Sequence, residues 1–128
     1  MMLRLLLIAL GGAAGTVARY GTGVLLRGAF ERSGFPYATL AVNLLGCFAI
    51  GLLHGLFASR LPMREEYRLA LVVGVLGGFT TFSSFGWDTA EMLREGQLIR
   101  AGANVLVQNV LGIALVFAGF AITRARLV

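Results

Sequence analysis

The sequence Gly77-Gly78-Phe79-Thr80-Thr81-Phe82-Ser83-Ser84-Phe85 interrupts an apolar run that is otherwise long enough to cross a membrane. Its two adjacent glycines weaken a helix at one point, and four hydroxyl-bearing residues follow them. Non-helical backbone at membrane depth survives only where protein buries it or where it lines a wet cavity. The stretch therefore predicts a broken membrane helix, the arrangement that many transporters use at ion sites.

The composition around this stretch is that of an integral membrane protein. The chain has 128 residues, of which 58% are hydrophobic and 13% charged, and its mean hydropathy is +0.84. A helical span needs about 20 apolar residues, and the apolar runs predict an all-α membrane protein with spans at about 3–26, 37–58, 67–93 and 98–123. Because these spans use nearly all of the sequence, we expect one membrane domain over residues 1–128, without an extramembrane domain.

The first span has an alternative interpretation. Arg4, the apolar run Leu5 to Leu10 and the small residues Gly11 to Gly15 fit the layout of a cleaved signal peptide. The apolar character resumes after Gly15 and continues to Leu26, which favours a membrane span. A single cysteine, Cys47, excludes an intramolecular disulfide, and its position within the second span is typical of a small hydrophobic residue.

All eleven basic residues are arginine, and the net charge is +5. They lie mainly at span ends, which indicates headgroup anchors and topology signals and does not favour nucleic-acid binding. One face carries Arg4, Arg60, Arg64, Arg68, Arg124 and Arg126, and the opposite face carries Arg27, Arg32, Arg94 and Arg100. This near balance leaves two hypotheses: dual insertion with an antiparallel dimer, or one orientation with the six-arginine face in the cytoplasm.

Pairs of small residues separated by three positions predict close helix contacts. The pairs are Gly11/Gly15, Gly51/Gly55 and Gly74/Gly78. Such pairs let helix backbones approach each other in membranes, either within one subunit or between subunits. We expect both uses here.

Polar side chains within the spans are candidates for function. Arg19 lies in the last third of the first span, either as a structural anchor that snorkels to the membrane face or as an attractor of anions at a channel entrance. Asn43 in the second span either caps the broken third helix or donates an N–H group to an anion. His54, near the end of that span, is typical of headgroup level, and no histidine or cysteine has the spacing of a zinc or copper ligand.

Phe79, Phe82 and Phe85 recur every three residues and alternate with hydroxyl groups, which lipid-facing packing does not require. The positive edges of such rings can line an anion path without a full positive charge that would trap the ion. In the fourth span, Asn104 and Gln108 share one helix face. No nucleophile–base pair, phosphate-binding loop or pair of catalytic carboxylates is recognisable, since Glu65 and Glu66 are expected only to solvate a loop, so no enzyme activity is predicted.

These residues resemble a known family. The stretch from Gly77 to Phe85 is similar to the signature of the Fluc (CrcB) fluoride channels, and the resemblance covers the whole chain. Gly11 to Tyr20 matches the first-span pattern, Thr39 to Asn43 with Gly46 matches the second, and Asn104 to Leu106 resembles the fourth.

The resemblance implies a fluoride channel of the bacterial inner membrane, built as an antiparallel dual-topology dimer with two pathways that export cytoplasmic fluoride. We expect a homodimer, although some members of the family pair two different chains. The resemblance also implies a central Na⁺ held by the backbone carbonyls of Gly77 and Thr80 from both subunits, and it identifies Arg19 with the first-span arginine of the family. The implied fluoride pathway consists of ring, amide and hydroxyl groups, which belong to Asn43, Phe82, Ser83, Ser84, Phe85 and Gln108.

The chain departs from the family pattern at a few positions. Ser84 stands where threonine is usual, and Gly86 and Asp88 stand where serine and glutamate are more frequent. The fourth span of the family carries a polar track toward the pore, and the corresponding positions here are Gln108, Gly112 and Val116. Because only the first of these is polar, either the track is shorter in this chain or the alignment is shifted.

Two other classes of function fit the sequence less well than a channel. A four-span proton-coupled multidrug exporter would need a membrane-embedded acid, usually in the first span, and residues 3–26 contain none. A non-transporting assembly subunit would leave the hydroxyl and phenylalanine pattern of residues 77–85 without a purpose.

Overall fold

The structure is a computed structural model that describes residues 1–58 and 63–125. The part of the chain that it describes is helical, with short connections. Helices α1 and α2 are continuous, α3 has three contiguous segments of which the middle one is π-helical, and α5 also has a π-helical middle segment. The bounds are α1 Met2–Ser33, α2 Tyr37–Ala58, α3 Glu65–Leu69, Ala70–Leu76 and Gly77–Phe79, α4 Phe82–Arg94, and α5 Leu98–Leu106, Val107–Leu111 and Gly112–Ala125.

Four helical stretches of the described residues are long and apolar enough to cross a membrane: Met2–Ser33, Tyr37–Ala58, Glu65–Arg94 and Leu98–Arg124. The prediction of an all-α chain with four spans is therefore confirmed. α1 continues past the predicted end at Leu26, because its polar last turns remain helical until Gly34. Gly34 adopts the left-handed conformation (φ 66°) and donates its N–H to the Phe30 carbonyl at 2.6 Å, a common helix end.

The expectation for Glu65 and Glu66 was wrong. Both residues begin α3 and do not lie in a loop, and carboxylates are favourable in the first turn of a helix. The Arg4 guanidinium binds both of them, with Nη2 3.0 Å from Glu65 Oε2 and Nε 3.5 Å from Glu66 Oε1. These ion pairs join the start of α1 to the start of the third span.

Glycines let the helix backbones touch along two interfaces, α1 with α3 and α2 with α5. A Cβ atom on Gly15 would overlap the Val75 carbonyl oxygen, and one on Gly74 would lie 2.8 Å from the Ile8 carbonyl oxygen. The other glycines that have no room for a side chain at these interfaces are Gly11, Gly51, Gly55, Gly78 and Gly119. All three predicted glycine pairs thus pack helices within one subunit.

Two of the described arginines lie at different ends of the bundle. Arg4 lies at the end where the third span begins, whereas the Arg100 guanidinium lies beside Gly34 at the end where α1 stops. Arg60 and Arg126, which were assigned to the six-arginine face, lie outside the described residues.

Candidate functional site at the third span

The backbone of the third span leaves the helical conformation at two residues. Thr80 (φ −86°, ψ 160°) and Thr81 (φ −154°, ψ 108°) are extended, and helical backbone stops at Phe79 and resumes at Phe82. The N–H and hydroxyl of Thr80 both donate to the Leu76 carbonyl at 2.9 Å, which ends α3. The Thr81 hydroxyl accepts the Ser84 N–H at 3.1 Å and thereby caps α4.

The side chain of Asn43 from α2 satisfies the backbone at this interruption. Its Oδ1 accepts the Thr81 N–H at 2.8 Å, and its Nδ2 donates to the Thr81 carbonyl at 3.1 Å. The same Nδ2 donates to Gln108 Oε1 at 2.7 Å, so both N–H groups of Asn43 are used. This geometry agrees with the first of the two hypotheses for Asn43, in which its side chain caps the broken third helix.

Hydrogen bonds continue from Asn43 through α5 to α4. Gln108 Nε2 donates to Asn104 Oδ1 at 2.9 Å, and Asn104 Nδ2 donates to Thr89 Oγ1 at 2.9 Å. The Thr89 hydroxyl donates to the Phe85 carbonyl at 2.7 Å. We call Asn43, Gln108, Asn104 and Thr89 the amide chain. It connects three helices, and its member Asn104 is fully buried with 0% exposure.

A cavity of about 420 Å³ lies at the interruption, between α2, α3, α4 and α5. The rings of Phe82 and Phe85 line it with their centroids 5.4 Å apart and their planes at 49°. No charged side chain occurs among the described residues of the lining. The polar lining consists of neutral groups, which belong to Asn43, Thr80, Thr81, Gln108 and Asn109.

The structure brings most of the predicted site residues together, because this cavity is lined by Asn43, Gly77, Thr80, Phe82, Phe85 and Gln108. Ser83 and Ser84 are not part of the described lining, although they lie beside it on the first turn of α4. The Thr81 hydroxyl donates to Ser84 Oγ at 2.9 Å, so in the 3.3 Å contact between Thr81 and Ser83 the proton must come from Ser83. Among the described residues, nothing accepts the proton of the Ser84 hydroxyl.

Arg19 is half-buried on α1 and does not line this cavity. It follows Gly11 and Gly15 at intervals of four residues, which places it on the face of α1 that packs against α3. His54 is exposed, and its ring meets Phe57 edge-on with centroids 6.2 Å apart. Among the described residues, no cluster of histidine, cysteine, aspartate or glutamate could hold a metal ion.

Sequence reasoning missed three features near the site. Cys47 lines the cavity, whereas its position alone indicated only packing. The Thr39 hydroxyl donates to Asp88 Oδ2 at 2.7 Å, which joins α2 to α4 across a second, smaller cavity of about 200 Å³. Thr89 ends the amide chain, and the only signal for it in the sequence is its position four residues after Phe85 on a helix.

Comparison with the sequences of known proteins places this chain in a family. A family model described as CrcB-like protein, Camphor Resistance (CrcB) matches residues 6–120. A relative from Solibacter usitatus (strain Ellin6076), named fluoride-specific ion channel FluC, is 48% identical over 124 residues that cover 95% of this chain and 99% of the relative.

Further relatives with the same name support this placement. One from Agrobacterium fabrum (strain C58) is 48% identical over 123 residues, which cover 96% of this chain and 98% of the relative. One from Rhizobium johnstonii is 42% identical over 127 residues, which cover 97% of this chain and 98% of the relative. The chain therefore belongs to the family of CrcB-like proteins.

Proposed function

We propose that this chain is a fluoride-selective channel that lets cytoplasmic fluoride leave a bacterial cell down its electrochemical gradient. The observation that carries the proposal is the similarity over nearly the full chain to relatives named fluoride-specific ion channel FluC. The cavity of phenyl rings and neutral donors at the third span agrees with it. A channel with four spans is a multi-pass membrane protein, and we place it in the inner membrane.

The chemistry of the cavity suits a small anion that must bind and then leave. Ring edges carry partial positive charge, and amide N–H and hydroxyl groups donate hydrogen bonds. Conduction requires binding that is favourable enough for entry and weak enough for release. Phe82, Phe85 and the neutral polar lining meet both requirements, since no described lining residue carries a full charge that would hold the ion.

The channel assembles, in this proposal, as an antiparallel homodimer. The ring of Phe82 is 81% exposed although it lines the cavity, so one subunit leaves this wall of the cavity open. A second copy would cover the exposed ring, and the near balance of six and four arginines permits both orientations. A tagged C-terminus found on both sides of the membrane supports this arrangement, and a tag found on one side only would contradict it.

The dimer is further proposed to hold Na⁺ through the carbonyl oxygens of Gly77 and Thr80 from both subunits. In a continuous helix the Thr81 N–H would donate to the Gly77 carbonyl, but here it donates to Asn43. Among the described residues, no backbone N–H donates to the Thr80 carbonyl. Unpaired carbonyl oxygens at an interrupted helix fit a hard cation. When bound, Na⁺ would supply positive charge between the two subunits.

Efflux from vesicles tests the function directly. Purified protein in liposomes loaded with potassium fluoride and made permeable to K⁺, so that charge stays balanced, should release fluoride to an electrode, and vesicles loaded with potassium chloride should release no chloride. Phe82→Ile should abolish the release, because isoleucine has no ring edge. Phe117→Ile is the matched control, since this ring is also exposed (69%) but lies on α5 and is not part of the described lining. Equal efflux from both variants would contradict the role of the ring.

The multidrug-exporter alternative finds no support. The relatives are named as fluoride channels, and no acidic residue occurs at positions 3–26. An exporter would exchange an external cationic drug for protons from the vesicle lumen and so raise the luminal pH, whereas we expect fluoride release without proton exchange.

A further inference from the structure

The amide chain has a fixed direction because backbone groups hold both of its ends. At one end the Phe85 carbonyl can only accept, so the Thr89 hydroxyl gives its single proton to it and turns its lone pairs toward Asn104. Asn104 must then donate its Nδ2 to Thr89, which leaves Oδ1 to accept from Gln108. The Phe85 carbonyl thus determines the orientation of the Gln108 amide through the side chains of Thr89 and Asn104.

The other end imposes the same direction. The Thr81 N–H can only donate, and Asn43 accepts it through Oδ1. Asn43 therefore turns its Nδ2 toward Gln108, whose Oε1 accepts, so that Gln108 Nε2 faces Asn104. Reversal of any one amide would bring two donors or two acceptors together, which is costly away from water.

The acceptors of the amide N–H groups in the amide chain can be assigned one by one. Asn43 uses both of its N–H groups, on the Thr81 carbonyl and on Gln108. Gln108 uses one N–H on Asn104, and among the described residues nothing accepts the other. Gln108 lines the cavity, so its second N–H is available there. Asn109 also lines the cavity, but it is exposed and its amide is held only by the Val105 carbonyl of its own helix.

We infer that Asn104 and Thr89 are positioning residues, which hold the amide of the proposed pathway residue Gln108 in the one orientation that presents an N–H to the anion. The inference rests on the proposed fluoride channel. Asn104 and Thr89 do not belong to the described lining. Their side-chain hydrogen bonds reach it at the Gln108 amide and at the backbone carbonyl of Phe85. If the Gln108 amide reversed, its carbonyl oxygen would face the anion and repel it. The amide chain thus orients the Gln108 N–H, the donor on which anion binding depends.

Side-chain NMR on the wild-type protein is the first test. The sequence contains only two glutamines, Gln97 and Gln108, so ¹⁵N-glutamine labelling yields two side-chain amide signals. Titration with sodium fluoride should shift one of the two Gln108 amide protons strongly and leave the other nearly unchanged. Gln97 bonds Glu95 and Arg100 outside the cavity and is the internal control. No shift of Gln108, or equal shifts of both its protons, would overturn the inference.

Variants at Thr89 give the second test, in the vesicle efflux assay. Thr89→Val should raise the half-saturating fluoride concentration about tenfold or more, because Asn104 loses its acceptor. Thr89→Ser keeps the hydroxyl and should behave as the wild type. Thr22→Val is the matched control, since the Thr22 hydroxyl also donates to a carbonyl one turn earlier, that of Ala18 at 3.0 Å, and accepts from no side chain in the described residues.

A double variant separates positioning from a general loss of structure. If Thr89 acts through Gln108, then Thr89→Val should add nothing to the loss caused by Gln108→Leu. Additive losses, or equal efflux from Thr89→Val and Thr22→Val, would overturn the inference and leave the proposed channel intact. Absence of fluoride efflux from the wild type would overturn both. The NMR titration keeps the inference testable if Thr89→Val does not fold.

Discussion

Replacement of Asn43 by leucine would show how much one amide contributes to the interruption of the third span. The substitution removes three hydrogen bonds, of 2.7, 2.8 and 3.1 Å, to Gln108 and to the backbone of Thr81. Side-chain hydrogen bonds between membrane helices contribute about 0.6 kcal/mol each on average and up to about 1.7. Because leucine has the same number of side-chain heavy atoms in the same branched arrangement, the main change is the loss of these bonds, and we expect a loss of about 2–5 kcal/mol in the free energy of unfolding.

The loss can be measured by unfolding in mixed micelles with increasing sodium dodecyl sulfate, followed by circular dichroism. Asn109→Leu is the control, because the Asn109 amide bonds only the Val105 carbonyl of its own helix at 2.8 Å and is exposed. We expect the control to stay within about 0.5 kcal/mol of the wild type. The assignment of Asn43 as the cap of the interrupted helix would be refuted if both variants unfolded at the same denaturant fraction.

Three other predictions use separate features. Gly46→Ala should destabilise the protein by about 1–3 kcal/mol in the same unfolding assay, because its methyl group would overlap the Thr80 methyl, whereas Gly21→Ala meets nothing within 4 Å and should not destabilise it. A thiol-reactive methanethiosulfonate reagent should block fluoride efflux from the wild type, since Cys47 lines the cavity and is the only cysteine, and continued block in Cys47→Ala would exclude that site. Arg4→Ala should cost less than about 1 kcal/mol at low salt and nearly nothing at high salt, because its ion pair with Glu65 is exposed; a loss that salt does not reduce would contradict a screened surface pair.

The spans and the position of the interruption could be predicted from the sequence because each depends on local composition. Apolar runs of membrane length fix the helices, and the glycines followed by Thr80 and Thr81 mark the place where helical backbone stops. The helix bounds were less accurate where polar residues continue a helix, as in α1 before Gly34 and at Glu65. The apolar run ends at these places, but the backbone hydrogen bonds of the helix continue through the polar residues.

The hydrogen-bond partners could not be read from the sequence. Asn104 and Gln108 were placed on one helix face by their spacing, but their connection to Asn43 and Thr89 depends on how three helices meet. The choice between a cap and an anion donor at Asn43 also required the position of the Thr81 backbone, which lies 38 residues away in the sequence. The roles of Asn43, Phe82, Ser83, Ser84, Phe85 and Gln108 in fluoride passage, and of Gly77 and Thr80 in sodium binding, stay predictions.

The direction of the amide chain has a consequence for the electrical behaviour of the whole channel. Every hydrogen bond in it is donated in the sense from Asn43 toward Phe85, so the order of donor and acceptor never reverses within one subunit. In the antiparallel dimer that we propose, the second copy carries the same order in reverse, and the two pathways together should pass equal current at opposite voltages. If the two copies were linked and only one carried Thr89→Val, the two pathways would no longer be equivalent. This dimer should then pass more current at one voltage sign than at the other.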